Sequence, residues 1–333
     1  MRATKPKNGK SGARLSCCSA ANSGLPFIPI GVNFAQLYCR DKFMTSDSRP
    51  CRSVLYIPAS NERALEKAKS IPTDAIIFDL EDAVAPAEKD NARSRLAAVI
   101  AAGGYDGRIR LVRINGFDTP WGQGDLEAFA ASPPDGILMP KVSGGDHAAD
   151  LAHRMDKLSG YSTTNTWAMI ESPEGVLNAA EIARAPRMAG FVLGTNDLVK
   201  DLGATPDSER SQIQTALQMS LLAARGAGII AIDGVYNAFR DEEGLVRECA
   251  QGRALGFHGK SLIHPSQVAP TNTAFSPTDD EVDLARRQID AFEAAEAKGQ
   301  GVAVLDGKIV ENLHVATARQ ILAIDSAIRD GVS

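Results

Sequence analysis

The chain has 333 residues, 44% hydrophobic and 23% charged, enough for one large α/β domain with a sizeable core plus an extension. It contains no apolar run of roughly 18 residues, which excludes a membrane-spanning helix. Its formal net charge of −5 gives no support to nucleic-acid binding by the whole molecule.

Charge is unevenly spread. Residues 1–47 hold seven Lys or Arg and two acids, and the first 40 residues hold no acid and three of the five cysteines. A targeting peptide, a disordered tail and an upstream-extended translation start all fit that composition. Met44 and the polar run after it make a natural start for the folded body, so 1–47 are expected to be a disordered, non-core segment. The cysteines (Cys17, Cys18, Cys39, Cys51 and Cys249) show no C-x-x-C spacing. The simpler reading is a reduced, cytoplasmic setting, with the targeting segment as its competitor. The five histidines form no pair at helical spacing, which argues against a zinc site of the usual kinds.

From residue 52 onward, apolar runs alternate with amphipathic ones. Strands are predicted at 53–57, 74–78, 109–114, 136–139, 167–170, 190–193, 228–232 and 256–259, the last weakly. Helical patterns fall between them at 61–70, 88–102, 122–131, 144–158, 174–184, 208–225 and 241–254. Most of the strands are too apolar to have one face in water, and their alternation with helices implies a parallel sheet with right-handed crossovers. Eight repeats fit a closed (β/α)8 TIM barrel over 48–270 better than an open doubly wound sheet. No G-x-G-x-x-G follows the first strand. Residues 271–333 are expected to form a C-terminal helical lid, with a helix at 279–298, a strand-like 302–305, a turn at Asp306-Gly307 and a last helix over 310–329. This tail offers little that could form its own core, so it must pack on the barrel or on another subunit.

In such barrels chemistry sits at the C-terminal ends of the strands. The residues at or just beyond those ends are Asp79-Leu80-Glu81-Asp82, Arg113 with Asn115, Lys141, Glu171, Asp197 and Asp233. Loops are polar anyway, so two or three charges there mean little, but Arg and acids at six such positions exceed that expectation. Trp167 to Ile170 ends in Glu171, and Phe191 to Leu193 leads through Gly194-Thr195-Asn196 to Asp197. Two such acids can share one hard divalent cation such as Mg²⁺; the plainer alternative is that each caps the helix that follows. Arg113, between apolar neighbours, is either ion-paired in the barrel or a bidentate carboxylate clamp. Two acids holding Mg²⁺ beside one Arg can grip a 2-oxo or 2-hydroxy acid, the metal polarising the oxygen next to the carboxylate. A Schiff-base route would need a desolvated Lys, for which only Lys141 and Lys260 qualify.

With these residues in place the sequence resembles a known family. Arg52-Ser53-Val54-Leu55-Tyr56-Ile57-Pro58, Phe78-Asp79-Leu80-Glu81-Asp82-Ala83-Val84, Val112-Arg113-Ile114-Asn115-Gly116 and Met139-Pro140-Lys141 carry the first half of the resemblance. Ile170-Glu171-Ser172, Gly194-Thr195-Asn196-Asp197, Ile232-Asp233-Gly234, Gly259-Lys260 and Ile263-His264-Pro265 carry the rest. In order and spacing they resemble the citrate lyase β-subunit-like (CitE-like) CoA-ester lyases of the HpcH/HpaI aldolase superfamily, which include malyl-CoA and citramalyl-CoA lyases. The resemblance implies a homotrimer of (β/α)8 barrels whose C-terminal segment covers a neighbour's site. It implies Mg²⁺ on Glu171 and Asp197, Arg113 on the carboxylate of the small acid, and Glu81 and Asp82 around metal-bound water. Tyr56, Pro58 and the stretch to Arg63 would meet the CoA or acyl-carrier portion, Gly194 and Thr195 would line the substrate, and Lys141 and Asp233 would support the rim.

Two departures from the family pattern stand out. Pro58-Ala59-Ser60 replaces the frequent Pro-Gly-Ser, and Glu311, in Gly307-Lys308-Ile309-Val310-Glu311, stands where the family's tail carries a catalytic Asp. The extra methylene of Glu311 shifts its carboxyl by about one bond length, and misplacement on the order of 1 Å can cost about a hundredfold in rate; the alternative role for Glu311 is that of an acid at a helix N-terminus. The leading functional expectation is a Mg²⁺-dependent carbon–carbon lyase that cleaves a short 3-hydroxy-acyl thioester to an acyl-CoA and a 2-oxo acid. The competing ones are a malyl-CoA thioesterase, a synthase running in the condensing direction, and a carrier-protein-binding β subunit of a citrate lyase assembly.

Overall fold

The apolar runs become the staves of a closed parallel barrel. A computed structural model describes residues 49–331, and the expectation for 1–47 falls outside them. The strands are β1 (Ser53–Pro58), β2 (Ala75–Asp79), β3 (Ile109–Arg113), β4 (Gly136–Met139), β5 (Asn165–Ile170), β6 (Met188–Leu193), β7 (Ile230–Asp233) and β8 (Gly259–Leu262). They pair in sequence order, and β8 closes on β1 with Ser53 opposite Lys260. Around them lie α1 (Glu62–Ala68), α2 (Lys89–Ala102), α3 (Gly122–Ala128), α4 (Gly145–Asp156), α5 (Pro173–Leu177), α6 (Ala179–Ile182), α7 (Thr195–Asp201), α8 (Gln214–Ala227), α9 (Glu242–Leu255) and α10 (Val268–Phe275).

Side-chain alternation splits the apolar residues into two cores. Val54, Ala75, Ile77, Leu111, Leu138, Trp167, Met169, Val192 and Ile232 fill the lumen, while Leu55, Ile76, Phe78, Val112 and Phe191 face the helices. The same two-residue period carries Tyr56, Asp79, Arg113 and Glu171 to the lumenal side at the upper end. In the lower layer Trp167 needs small neighbours. A β-carbon on Gly136 would lie 2.7 Å from the indole Cδ1, and one on Gly190 would lie 2.6 Å from Cε3.

The expected strand at 256–259 is displaced. The eighth strand is Gly-Lys-Ser-Leu, and two of its four residues are polar, so hydropathy could not mark it. Lys260 is wholly buried and bonds Asp233 at 3.0 Å and Glu248 at 2.6 Å, which compensates its charge. Two helices were not anticipated. The first turn of α7 is polar and reads as loop. In α10, Pro270 and two threonines lower helix propensity, yet Pro270 sits in the first turn, where no N–H is required. Val268 and Phe275 pack α10 into the barrel core, so barrel structure continues past residue 270. The predicted helix at 174–184 is interrupted at Asn178, whose side-chain amide donates to the Ser143 carbonyl at 2.7 Å.

The tail comprises α11 (Asp279–Glu296), a hairpin of β9 (Ala303–Leu305) and β10 (Lys308–Val310), and α12 (Asn312–Asp330). Asp306 and Gly307 both have positive φ (50° and 74°), as a tight two-residue hairpin turn requires. Contrary to the sequence reading, the tail has a small core of its own, formed by Phe292, Ala295, Ala303, Val310 and Val315. An Arg253–Glu281 pair at 2.7 Å ties α11 to α9. Val302, Val304, Ile309 and Leu313 stay exposed.

The lumen packing is checked by Trp167→Ala, expected to cost about 3–5 kcal/mol in urea unfolding with an unchanged slope. A loss below about 1 kcal/mol would contradict a filled lower layer.

Candidate active site

Seven strand ends, all but that of β4, converge on one cavity of about 400 Å³ at the upper mouth of the barrel. Its wall includes Tyr56, Pro58, Asp79, Asp82, Arg113 and Glu171, continuing with Gly194, Thr195 and Asp197 from the β6–α7 junction. Met169, Leu193, Val235 and Ile263 supply its apolar part. A second cavity of about 530 Å³ adjoins it, sharing Asp82 and lined also by Glu81, Lys141 and Trp121.

Arg113 ends β3, and Asp79 ends β2 directly beside it in register. Arg113 donates from Nε to Asp79 Oδ1 at 2.7 Å and from Nη2 to Oδ2 at 2.6 Å, a two-pronged pair buried at both partners. The remaining nitrogen, Nη1, lies 3.0 Å from Glu81 Oε2 and 3.5 Å from the Met169 sulfur. The guanidinium also sits 5.0 Å from the centre of the Tyr56 ring. Burial alone would lower its pKa, but the charges of Asp79 and Glu81 and the bonds from Asp79 raise it well above the usual arginine value. Of the two roles open to Arg113, the structure gives the ion pair and leaves the Nη1 edge toward the cavity.

Glu171 follows the last residue of β5 and is 3% exposed. It does not cap α5: that role belongs to Ser172, whose side chain accepts the Gly175 N–H at 3.1 Å. Its Oε1 instead accepts the Lys141 backbone N–H at 2.6 Å. A β-carbon on Gly194 would collide with its side chain, so the glycine makes room for the carboxylate. Burial pushes its pKa from 4.5 up to about 7. The Lys141 N–H and Arg113 pull the other way, and Glu81 and Asp197 add to the rise. Asp197 lies in the first turn of α7, half-buried, where the helix dipole favours its negative charge. Glu81 is also raised, first by burial, with Arg113 opposing and Asp82 reinforcing.

Among the described residues six carboxylates (Asp79, Glu81, Asp82, Asp118, Glu171 and Asp197) line the two cavities with three cations, Arg113, Lys89 and Lys141. That imbalance fits a divalent cation. Among the described residues no three His, Cys, Asp or Glu side chains are grouped as a complete metal cage. Mg²⁺ needs none, since it keeps water and substrate oxygens beside one or two carboxylates. Glu171 and Asp197, all-oxygen donors on one cavity wall, suit it.

The structure therefore brings Tyr56, Pro58, Asp82, Arg113, Glu171, Gly194, Thr195 and Asp197 together, with Glu81 and Lys141 beside them. Asp233 is different. It faces outward toward α9 and binds Arg210 at 2.7 Å and Lys260 at 3.0 Å, so its support of the rim is indirect, through a buried ion cluster. Glu311 caps the start of α12 on the tail, exposed, and is not among the residues lining the cavity. In the sequence Asp79 reads only as a rim acid. Its share in fixing Arg113 could have been read from the period of two, since 75, 77 and 79 pair with 109, 111 and 113.

Comparison with known proteins agrees with this geometry. Residues 52–265 match the HpcH/HpaI aldolase/citrate lyase family. The chain is 56% identical over 285 residues to a (3S)-malyl-CoA thioesterase of Cereibacter sphaeroides, covering 86% of this chain and 98% of the relative. It is 38% identical to the citrate lyase subunit beta of Escherichia coli over 282 residues, 83% of this chain and 93% of that one. Among solved structures it is similar to CitE from Mycobacterium tuberculosis in complex with magnesium, acetoacetate and coenzyme A. There the TM-score is 0.68 and the identity 28%, over 84% of this chain and all of that one.

The raised Glu171 gives a pH signature. Its folded pKa lies above its ordinary value, so its contribution to stability is full below about pH 4.5 and is lost as pH rises through about 7. In EDTA, unfolding free energy is expected to fall by roughly 3 kcal/mol between pH 4.5 and 8 through this group. Glu171→Gln should flatten that slope. An unchanged slope in the variant would show that Glu171 is not the group responsible.

Proposed function

Because the chain belongs to the HpcH/HpaI aldolase/citrate lyase family, we propose that it is a Mg²⁺-dependent enzyme acting on a short 3-hydroxy-acyl-CoA thioester, (3S)-malyl-CoA foremost. The observation that carries this reading is the meeting of Arg113, Glu171 and Asp197 in one cavity. Hydrolysis of the thioester to CoA and the free acid is the favoured net reaction, supported by the relative that shares 56% of its sequence with this chain. Carbon–carbon cleavage to an acyl-CoA and a 2-oxo acid is the second reading, supported by the citrate lyase subunit beta relative and by a site built to grip an acid at its carboxylate.

In either reaction the chain's residues do the same work. Asp79 holds the guanidinium by two prongs and Tyr56 lies against it, so the Nη1 edge of Arg113 meets the substrate carboxylate in a fixed orientation. Glu171, fixed by the Lys141 N–H, and Asp197 would hold the cation. Bound there, Mg²⁺ would act as a Lewis acid on the oxygens beside that carboxylate. Met169, Leu193, Val235 and Ile263 keep the cavity partly dry, which strengthens each of these charge interactions. The thioester arm leaves past Tyr56 and Pro58.

We further assign the tail to a neighbouring copy in a homo-oligomer, a trimer in the family pattern, with Glu311 completing that copy's cavity. The exposed Glu311 and the exposed apolar Val304, Ile309 and Leu313 beside it support this assignment.

The test is to incubate the protein with (3S)-malyl-CoA and identify products by mass. Malate with free CoA marks hydrolysis, and glyoxylate with acetyl-CoA marks cleavage. EDTA should abolish either, and Glu171→Ala or Asp197→Ala should each lower kcat/KM by about a hundredfold or more. Full EDTA-resistant turnover by Glu171→Ala would overturn the proposal.

A further inference from the structure

Lys141, the second residue beyond the end of β4, is one of few non-glycine residues with positive φ, at 50°. A β-carbon is disfavoured in that left-handed region, and such strain persists where the surroundings require it. The backbone alone does not require a lysine here: its N–H, which donates to Glu171 Oε1 at 2.6 Å, would be supplied as well by an unstrained glycine. The side chain must therefore bring something of its own.

The Lys141 side chain is 63% exposed, and its ammonium lies 3.6 Å from Glu81 Oε1. The other oxygen of Glu81 lies 3.0 Å from Arg113 Nη1. Glu81 is thus shared between two cations, and it occupies the one nitrogen of Arg113 that Asp79 leaves toward the cavity. A substrate carboxylate drawn to Nη1 competes with Glu81 for that nitrogen and is repelled by its charge. A buried carboxylate displaced without a partner is costly. Of the two lysines lining the cavities, Lys89 spends its ammonium on the Leu80 and Glu81 carbonyls and on Asn115 Oδ1, which leaves Lys141 as the one already beside the Glu81 carboxylate.

Resting on the reading that the cavity takes a small oxo or hydroxy acid, we infer that Lys141 is a positioning residue that receives Glu81 from Arg113 when the substrate's carboxylate binds. Its ammonium acts on the acid's affinity through Glu81, apart from the backbone N–H that holds Glu171 and apart from the reacting bond. Arg113 and Lys141 then divide the work: one binds the incoming anion, the other retains the outgoing one.

The inference is tested by calorimetric titration of the full chain with pyruvate, and separately glyoxylate, at saturating MgCl2. Lys141→Gly removes the ammonium and the backbone strain together while keeping the N–H. It is expected to weaken 2-oxo acid binding about tenfold or more, to leave Mn²⁺ affinity unchanged, and to keep or raise Tm. Lys141→Arg should retain binding. Glu81→Gln placed in the Lys141→Gly background should restore it, because a neutral amide no longer competes for Arg113; a merely structural lysine would not be rescued in this way. Equal binding by wild type and Lys141→Gly, or a weakening that Glu81→Gln does not reverse, would overturn the inference while leaving the proposed function intact. Loss of Mn²⁺ affinity in Lys141→Gly would also overturn it, since Lys141 would then act through Glu171. Failure of the wild type to bind either acid would overturn the functional reading and this inference together.

Discussion

The upper mouth of the barrel places more negative charge than positive around two adjoining cavities, and the rest of the site is arranged about that imbalance. Asp79, Glu81, Asp82, Asp118, Glu171 and Asp197 meet Arg113, Lys89 and Lys141 there. Buried carboxylates either pair, protonate or bind a metal. Asp79 pairs, through both its oxygens, with one guanidinium. Glu171 pairs with no side-chain cation among the described residues, accepts one backbone N–H, and rises to about pKa 7. A divalent cation resolves what the protein's own cations leave over, and the apolar walls of Met169, Leu193 and Ile263 make its attraction stronger than it would be in water. The (β/α)8 architecture makes the arrangement possible because the lumen below is filled with Trp167, Leu111 and Ile77, which hold the strand ends rigidly.

Much of this was legible in the sequence because the strands obey strong rules. Runs such as Ala-Ile-Ile-Phe and Trp-Ala-Met-Ile are too apolar for a half-wet sheet, and each ends in a charge, which located Asp79 and Glu171. Where polar chemistry entered an element itself, the pattern failed. The strand Gly259–Leu262 holds a buried lysine that its partners Asp233 and Glu248 make tolerable, and both partners lie on other elements, β7 and α9. The same cluster explains why Asp233, a rim acid by position, faces the helices. The pairing of Arg113 with Asp79 depends on strand register, and the support of Glu171 by Lys141 depends on a backbone N–H. Hydropathy reports neither.

The tail shows the other limit of reading a single chain. Its capping residues and Asp306-Gly307 turn could be read locally, and they fold it around Phe292 and Val310. Its exposed valines and isoleucine, with Glu311 among them, lack a covering surface within the described residues of one chain. In contrast, the cavity at the barrel mouth has its acid-gripping groups in place without the tail. The binding of a small acid and the completion of catalysis are thus separable properties, one built by the barrel and the other assigned to its neighbour's extension.

The central claim is that the surplus carboxylates exist to hold one divalent ion between Glu171 and Asp197. Anomalous X-ray scattering from crystals grown with Mn²⁺ tests it most directly. The account predicts a single strong peak at the barrel mouth within coordination distance of oxygens from both residues, on the side of the cavity that Arg113 Nη1 faces. A peak on only one of the two carboxylates, or at the outward-facing Asp233 cluster instead, would contradict it.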